Sequence, residues 1–298
     1  MQSIDLVIPM VFPQDPAWQA AYAGVMGGSG AEKNVRYRSW NTEELLVKCC
    51  LKFMPWLRSI KLLLASETQV QDWMEQLKIE NGKLKIVFHR EFIPERYLPT
   101  FNVNTIEMWL HKIPDLGEHF IYSNDDFFPL SPLGPDDFFR DGLPCQHMTE
   151  KPFPASPNIF QRFVKNGLDM VAEDWGAKFG KTWLRTGHSM QPMLRSTVEH
   201  VCTRHADRIL QSFTARRMPQ NFNQYIFPFW QHLSGRYVDH VPPRRYVGPR
   251  VATCDVAAIL RDPNVGIVCL NDNESIGDWE TRAGIVRQEI ANKLDIGH

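Results

Sequence analysis

Apolar runs of strand length alternate with helix-like stripes through the first 140 residues, and this alternation constrains the fold more than any other feature. Ile4 to Met10 is apolar except for Asp5, and Pro13, Asp15 and Pro16 end it. Gly24 to Glu32, rich in Gly, Ala and Ser, reads as a loop; it lacks both the lysine of a P-loop and the spacing of a dinucleotide fingerprint. Asn41-Thr-Glu-Glu44 has the form of a helix N-cap with a glutamate three residues on. Leu45, Leu46, Cys49, Cys50 and Phe53 then make a helical stripe that Pro55 stops. Ile60 to Ala65 reads as a strand, Thr68 to Leu77 as a helix and Leu84 to Phe88 as a strand. Strands alternating with helices specify an α/β fold: a mainly parallel, Rossmann-like sheet flanked by helices.

Leu98-Pro-Thr-Phe-Asn102 turns the chain into a further helix, with Ile106, Trp109, Leu110 and Ile113 on its inner face and Pro114 closing it. Glu107 and His111 share a face there, four residues apart, and read as an exposed pair. Phe120, Ile121 and Tyr122 form a short buried strand, broken by Ser123-Asn124. Asp125 and Asp126 follow directly. Ligands of open α/β sheets dock outside the carboxyl ends of the strands, where these two acids lie. Successive side chains of an extended segment point to opposite sides, so one aspartate faces a ligand or metal while the other braces the loop. The rival reading is an Asx-stabilised turn without chemistry.

The second half is less regular. Residues 140 to 160, with Pro144, Pro152, Pro154 and Pro157, read as an irregular segment that covers a substrate. Helices are expected over Asn158 to Glu173, Met193 to Leu210 and Ile276 to Leu294. His188 stands just ahead of the second, where a helix N-terminus favours an anion; a hydrogen-bonded surface histidine is the plainer alternative. Arg216-Arg217 and the basic turn His240 to Tyr246 read either as solvated cations or as guanidinium forks for phosphate. The aromatic stretch Phe222 to Trp230 reads as core. Val265 to Leu270 is a strand followed by Asn271-Asp-Asn-Glu274, an echo of the earlier strand and Asn-Asp.

A formal charge of −1 provides no basic field for nucleic acid. The cysteines, Cys49, Cys50, Cys145, Cys202, Cys254 and Cys269, make no CxxC pair and no disulfide framework, which points to a reducing compartment and mostly buried thiols. The first residues lack the basic and apolar regions of a signal peptide, and no stretch has transmembrane length. A cytoplasmic protein is expected, with a peripheral position at the inner membrane face left open.

Several blocks, in order along nearly the whole chain, carry a resemblance. They are Ile4-Asp-Leu-Val-Ile8 with Asp15-Pro16, Leu98-Pro-Thr-Phe101 with Ile106-Glu107, and Phe120-Ile-Tyr-Ser-Asn-Asp-Asp126 with Pro135-Asp-Asp-Phe138. His188 to Met193, Arg217 with Asn221, and Cys269-Leu-Asn-Asp-Asn273 complete them. Together they resemble the Stealth family, which includes bacterial capsular polysaccharide phosphotransferases and the catalytic subunit of the lysosomal GlcNAc-1-phosphotransferase. The family's Trp-Val-Asp/Asn-Gly is here Met10-Val-Phe-Pro13, and its Leu-Arg-Tyr-Ser-Leu-Arg is here Leu45 to Cys50. Lys48, or Arg36 and Arg38, are the candidates to replace the lost arginines.

The resemblance implies one domain over 1–298, a nucleotide-sugar transferase fold whose first 140 residues bind the donor and whose more helical remainder completes the site. It implies transfer of a sugar-1-phosphate, such as GlcNAc-1-phosphate, from a UDP-sugar to a glycan hydroxyl with Mg²⁺ or Mn²⁺. Asp125, Asp126, His188 and Arg217 would be catalytic, with Arg216 the alternative to Arg217. Asp125, Asp126 and Asp272 would hold the metal, and Asp5, Arg38, Asn102, Asn124 and Asn271 would contact the donor. His188 would act as the base or as the nucleophile. The rival functions are a metal-dependent glycosyltransferase releasing UDP and a nucleotide-sugar-binding protein without turnover.

Overall fold

The computed structural model describes residues 3–27, 37–272 and 276–295. Its centre is a five-stranded sheet in the order Gln191–Leu194, His119–Tyr122, Ile4–Pro9, Ser59–Leu64, Leu84–Phe88. Four strands run parallel, and Gln191–Leu194 pairs antiparallel at one edge. Strands covered on both faces must be apolar throughout, which is why Ile4 to Ile8 and Leu62 to Leu64 read as near-continuous hydrophobic runs. Alternation sends Leu6, Ile8, Leu62 and Leu64 into one core, and Val7, Leu63 and Val87 into the other.

From Ile4–Pro9 the chain steps outward through Ser59–Leu64 to Leu84–Phe88, then returns to place His119–Tyr122 on the first strand's other side. Strand order therefore reverses at Ile4–Pro9, and a crevice opens beyond the carboxyl ends of that strand and of His119–Tyr122. Five residues past Tyr122 a second sheet starts. Phe127–Pro129 pairs antiparallel with Ile267–Leu270, which pairs parallel with Arg244–Val247. Leu270 N donates to Asp126 O at 2.8 Å, so the Asp125-Asp126 link is pinned where the two sheets meet.

Several expectations need correction. The chain after Pro16 is a helix, Pro16–Met26, capped by the Asp15 carboxylate; the rest of the expected loop, through Glu32, lies outside the described residues. The helix beyond Ser66 is Asp72–Asn81, later than its expected start at Thr68. The helix expected up to Ile113 stops at Glu107 and gives way to a 3₁₀ turn, Leu110–Lys112. Glu107 and His111 are both buried, because this segment turns beneath the sheet instead of presenting a face to water. Residues 140–160 are not irregular: they hold the strands Leu143–Gln146 and Met148–Pro152, the latter paired with Thr182–Thr186. Met193 and Leu194 belong to the edge strand, and the expected helix from there is two, Arg195–Arg204 and Ala206–Ser212. Among the described residues no helix is long and apolar enough to cross a membrane.

Candidate active site

The acids at the crevice sit in unlike settings. Asp126 is largely enclosed: Oδ2 accepts from Cys269 Sγ at 3.4 Å and the Asn271 amide also donates to the carboxylate, while Oδ1 is buried with no partner. Burial pushes its pKa up against those donors and the nearby His188. Asp125 opens to solvent on the cleft side. The protein mass around it, then the like charges of Asp126 and Glu43, push its carboxyl up to about 7. Because water reaches this side chain, the like-charge repulsion is the firmer of these causes. Glu43 comes from the first turn of the helix Glu43–Phe53.

His188 faces this pair. Its Nε2 lies 4.0 Å from Asp126 Oδ2, and its Nδ1 lies 3.0 Å from the Tyr225 hydroxyl. Phe127 packs edge-on against the imidazole, with centroids 4.9 Å apart. Burial lowers the pKa of His188 and the charge of Arg217 lowers it further, against the pull of Asp126. The ring is therefore neutral at physiological pH. Burial raises the Tyr225 phenol well above its usual range, so it remains a neutral hydroxyl.

Arg217 is exposed, and its charge reaches Asp125, His188, Glu107 and Tyr122. Its loop is held from behind. Asn102 caps the helix Val103–Glu107 through Asn104 N at 3.1 Å, and its amide donates to the carbonyls of Thr214 and Arg216 and to Asn221 Oδ1. Glu107 accepts from the Tyr122 hydroxyl at 3.0 Å and from Gln224 N at 2.8 Å. Burial pushes its carboxyl up to about 7.

His188 thus stands 4.0 Å from Asp126, with Asp125 adjacent and the charge of Arg217 reaching both the histidine and Asp125. The residues expected on the donor divide. Asn124 and Asn271 flank the acids, Asn271 through its bond to Asp126. Asn102 is fully buried as a brace. Asp5 sits near the amino end of its strand, away from the crevice, where Arg58, Ser59 and Gly117 N occupy both oxygens. A lone acid in an apolar strand is here one half of an ion pair. Arg38 forks onto Asp272, at 2.7 Å from Nε and 2.5 Å from Nη2, and lies over the Trp279 ring. Arg216 is exposed and offers its carbonyl to Asn102. Arg36 and Asn273 lie outside the described residues. A cavity of about 620 Å³ opens beside Arg38, with Pro13, Gln14, Trp279 and Arg287 in its wall; it excludes Asp125, Asp126 and His188.

A divalent cation fits the acids. The unpartnered Asp126 Oδ1 and the mutual repulsion of Asp125, Asp126 and Glu43 are the signs of a donor set without its charge. Asp126, His188 and Cys269 also bring oxygen, nitrogen and sulfur donors within 4.8 Å of one another. Asp272, expected as a third metal ligand, spends both oxygens on Arg38. Sequence reasoning missed Glu43, Tyr225 and Cys269 as neighbours of the site. Cys269 was signalled only by its place in the Cys-Leu-Asn-Asp block, and Tyr225 by nothing local.

A family model described as Stealth protein CR2, conserved region 2, matches residues 36–146. The receptor polysaccharide phosphotransferase WefC of Streptococcus oralis is 30% identical over 320 residues, covering 94% of this chain and 93% of that one. The capsular polysaccharide phosphotransferase WcwK of Streptococcus pneumoniae is 29% identical over 315 residues, with the same coverage of 94% and 93%. Among solved structures, the galactosyltransferase LgtC in complex with donor and acceptor sugar analogues aligns over 95% of each chain, at 12% identity and a TM-score of 0.45.

Proposed function

The chain belongs to the Stealth family and is similar over nearly its whole length to polysaccharide phosphotransferases, and from that premise we propose that it transfers a hexose-1-phosphate from a UDP-sugar to a hydroxyl of a glycan acceptor. The product is a phosphodiester, and GlcNAc-1-phosphate is the donor group to test first. The observation that carries the reading is the meeting of Asp126, His188 and Arg217 at the crevice where strand order reverses.

Phosphoryl transfer needs positioning and charge neutralisation more than covalent help. The acceptor oxygen attacks the β-phosphorus, the one carrying the sugar. Its proton passes to His188 Nε2, and the bond from phosphorus to the bridging oxygen breaks, so that UMP leaves. In the tautomer whose Nδ1–H donates to Tyr225 Oη, Nε2 keeps a lone pair directed at the acids, and this is the form the reaction uses. Asp126, 4.0 Å away, stabilises the imidazolium that forms. Arg217 holds non-bridging oxygens as charge grows on them. Asp125 and Asp126 would hold Mg²⁺ or Mn²⁺, which supplies neutralisation of the diphosphate. The nucleoside would occupy the cavity beside Arg38 and Trp279, whose volume suits it.

The test is a panel of nucleotide sugars, with the released nucleotide identified by chromatography. UMP release supports the reading, and UDP release makes the protein a glycosyltransferase. Asp125→Asn, Asp126→Asn, His188→Ala and Arg217→Ala should each lose UMP release, and near-wild-type turnover in the histidine and arginine variants would end this assignment of roles.

A further inference from the structure

Another guanidinium lies against the glycine that precedes this histidine. Arg244 opens the strand Arg244–Val247 and is half-buried, yet no hydrogen bond or carboxylate partner reaches its side chain among the described residues. It packs on Gly187, the residue before His188. A Cβ added to Gly187 would stand 2.0 Å from Arg244 Nη2, 2.1 Å from Cζ and 2.4 Å from Nε, so any side chain there would displace the guanidinium. Gln191 Nε2 holds the Gly187 carbonyl at 3.1 Å, which fixes the platform. Tyr225, bonded to His188 Nδ1, lies within electrostatic reach of Arg244. Two residues along the strand, Tyr246 shares the face of Arg244, and its ring centroid is 6.2 Å from that of His188. The strand thus sets Tyr246 beside His188 and Arg244 on the glycine before it, while Arg245 between them is exposed on the other face.

Taking a cation out of water is costly unless an anion accompanies it. A half-buried guanidinium with no protein anion, seated on a glycine that makes room for it and next to a catalytic histidine, has the features of a group awaiting an anionic ligand. We propose that Arg244 is a second phosphoryl-binding residue of the active site, gripping non-bridging oxygens of the donor's diphosphate from the His188 side. The proposal rests on the reading above that the donor is a nucleotide sugar. It also gives Gly187 a defined role: it is the seat of Arg244.

UDP in the presence of Mg²⁺ is the probe, because a diphosphate is bound whether the enzyme releases UMP or UDP; affinity tests Arg244, and the released nucleotide tests the reaction. By calorimetric titration, Arg244→Ala should weaken UDP about 10- to 100-fold, the range of a charge-assisted contact. Arg244→Lys should recover part of that loss. Gly187→Ala should weaken UDP comparably in the wild-type background and add little in the Arg244→Ala background. Arg245→Ala should stay within about twofold, as for a solvated surface charge. An Arg244→Ala protein that melts with the wild type and binds UDP within about threefold of it overturns the proposal. If Arg244→Ala folds poorly, Arg244→Lys and Gly187→Ala decide in the same way. Wild-type protein that takes up no UDP overturns both readings, whereas UDP release with the expected Arg244 loss overturns only the reaction.

Discussion

The side-chain amide of Asn102 donates to Asn221 Oδ1 at 3.0 Å, and that contact ties the helix carrying Glu107 to the loop carrying Arg217. Asn221 turns its own amide to Ser212 O and accepts from Met218 N at 2.7 Å, so both asparagines are spent on shaping the loop. Asn102→Ala should destabilise the protein by about 1–3 kcal/mol, the range for a buried polar group left unpaired. It should lower kcat about tenfold by releasing Arg217 from its position. Kinetics in the Arg217→Ala background check the route: there, Asn102→Ala should cost little further rate while its stability loss remains.

The acids at the crevice trade stability for charge. The Asp125 carboxyl is pushed up to about 7 in the folded protein, against an ordinary 3.8, by the protein mass beside it and, more firmly because water reaches it, by the like charges of Asp126 and Glu43. A carboxyl with a raised folded pKa costs nothing below its unfolded value and its full penalty above its folded one. The metal-free protein should therefore lose stability as pH rises from 3.8 to about 7 on account of this group. Asp125→Asn should remove that slope and raise the melting temperature at pH 8 more than at pH 5, while turnover falls on the order of 10²-fold or more. Melting curves at the two pH values check it, and an equal shift at both would contradict it.

How much of this was legible in the sequence follows from where the partners lie. The parallel strands were readable because burial on both faces leaves an apolar run, as in Ile60 to Leu64. The crevice acids were readable because a strand that ends in Asn-Asp-Asp announces itself locally. The edge strand Gln191–Leu194 was not: it has four residues and contains Pro192, which an edge tolerates, and it reads as a turn into a helix. Nor was the pairing of Met148–Pro152 with Thr182–Thr186, since the former is short and solvated and its partner is distant in sequence. Asp5, which the resemblance puts on the donor, is held instead by Arg58, a partner 53 residues away that no local pattern reveals. The placing of His188 and Arg217 with the acids came from the resemblance, since neither stands in a pattern that spacing alone distinguishes from a surface residue.

Tyr225 fixes the histidine. Without its hydroxyl, Nδ1 of His188 loses the partner that holds the ring's orientation. Tyr225→Phe should lower kcat about tenfold with KM little changed, whereas His188→Ala should lose about 10²- to 10⁴-fold. Because burial and Arg217 depress the imidazole's pKa, the acid limb of kcat/KM in the wild type should fall below 6.5. A pH–rate profile at saturating Mg²⁺, where the bound cation keeps Asp125 charged, measures this, and a limb that stays above 6.5 there would point to a different base.

Asp5 separates stability from chemistry, since it is fully buried near the strand end that faces away from the crevice. Burial raises its pKa, but the hydrogen bonds from Arg58, Gly117 N and Ser59 and the charge of Arg58 outweigh that and hold it below 3.8. A depressed carboxyl contributes stability that is fully present above its unfolded value and is lost as pH falls through its folded value. The wild type should therefore lose stability from this pair only below pH 3.8. Asp5→Asn should cost roughly 2–3 kcal/mol at pH 7, near the low end for a broken buried pair because Arg58 is partly solvated. It should flatten the acid slope and leave kcat and KM unchanged below the melting temperature. Denaturant titrations at pH 7 and pH 3 supply the stability terms. A KM for the nucleotide sugar that rises severalfold in Asp5→Asn, with the fold intact, would return this residue to the donor site.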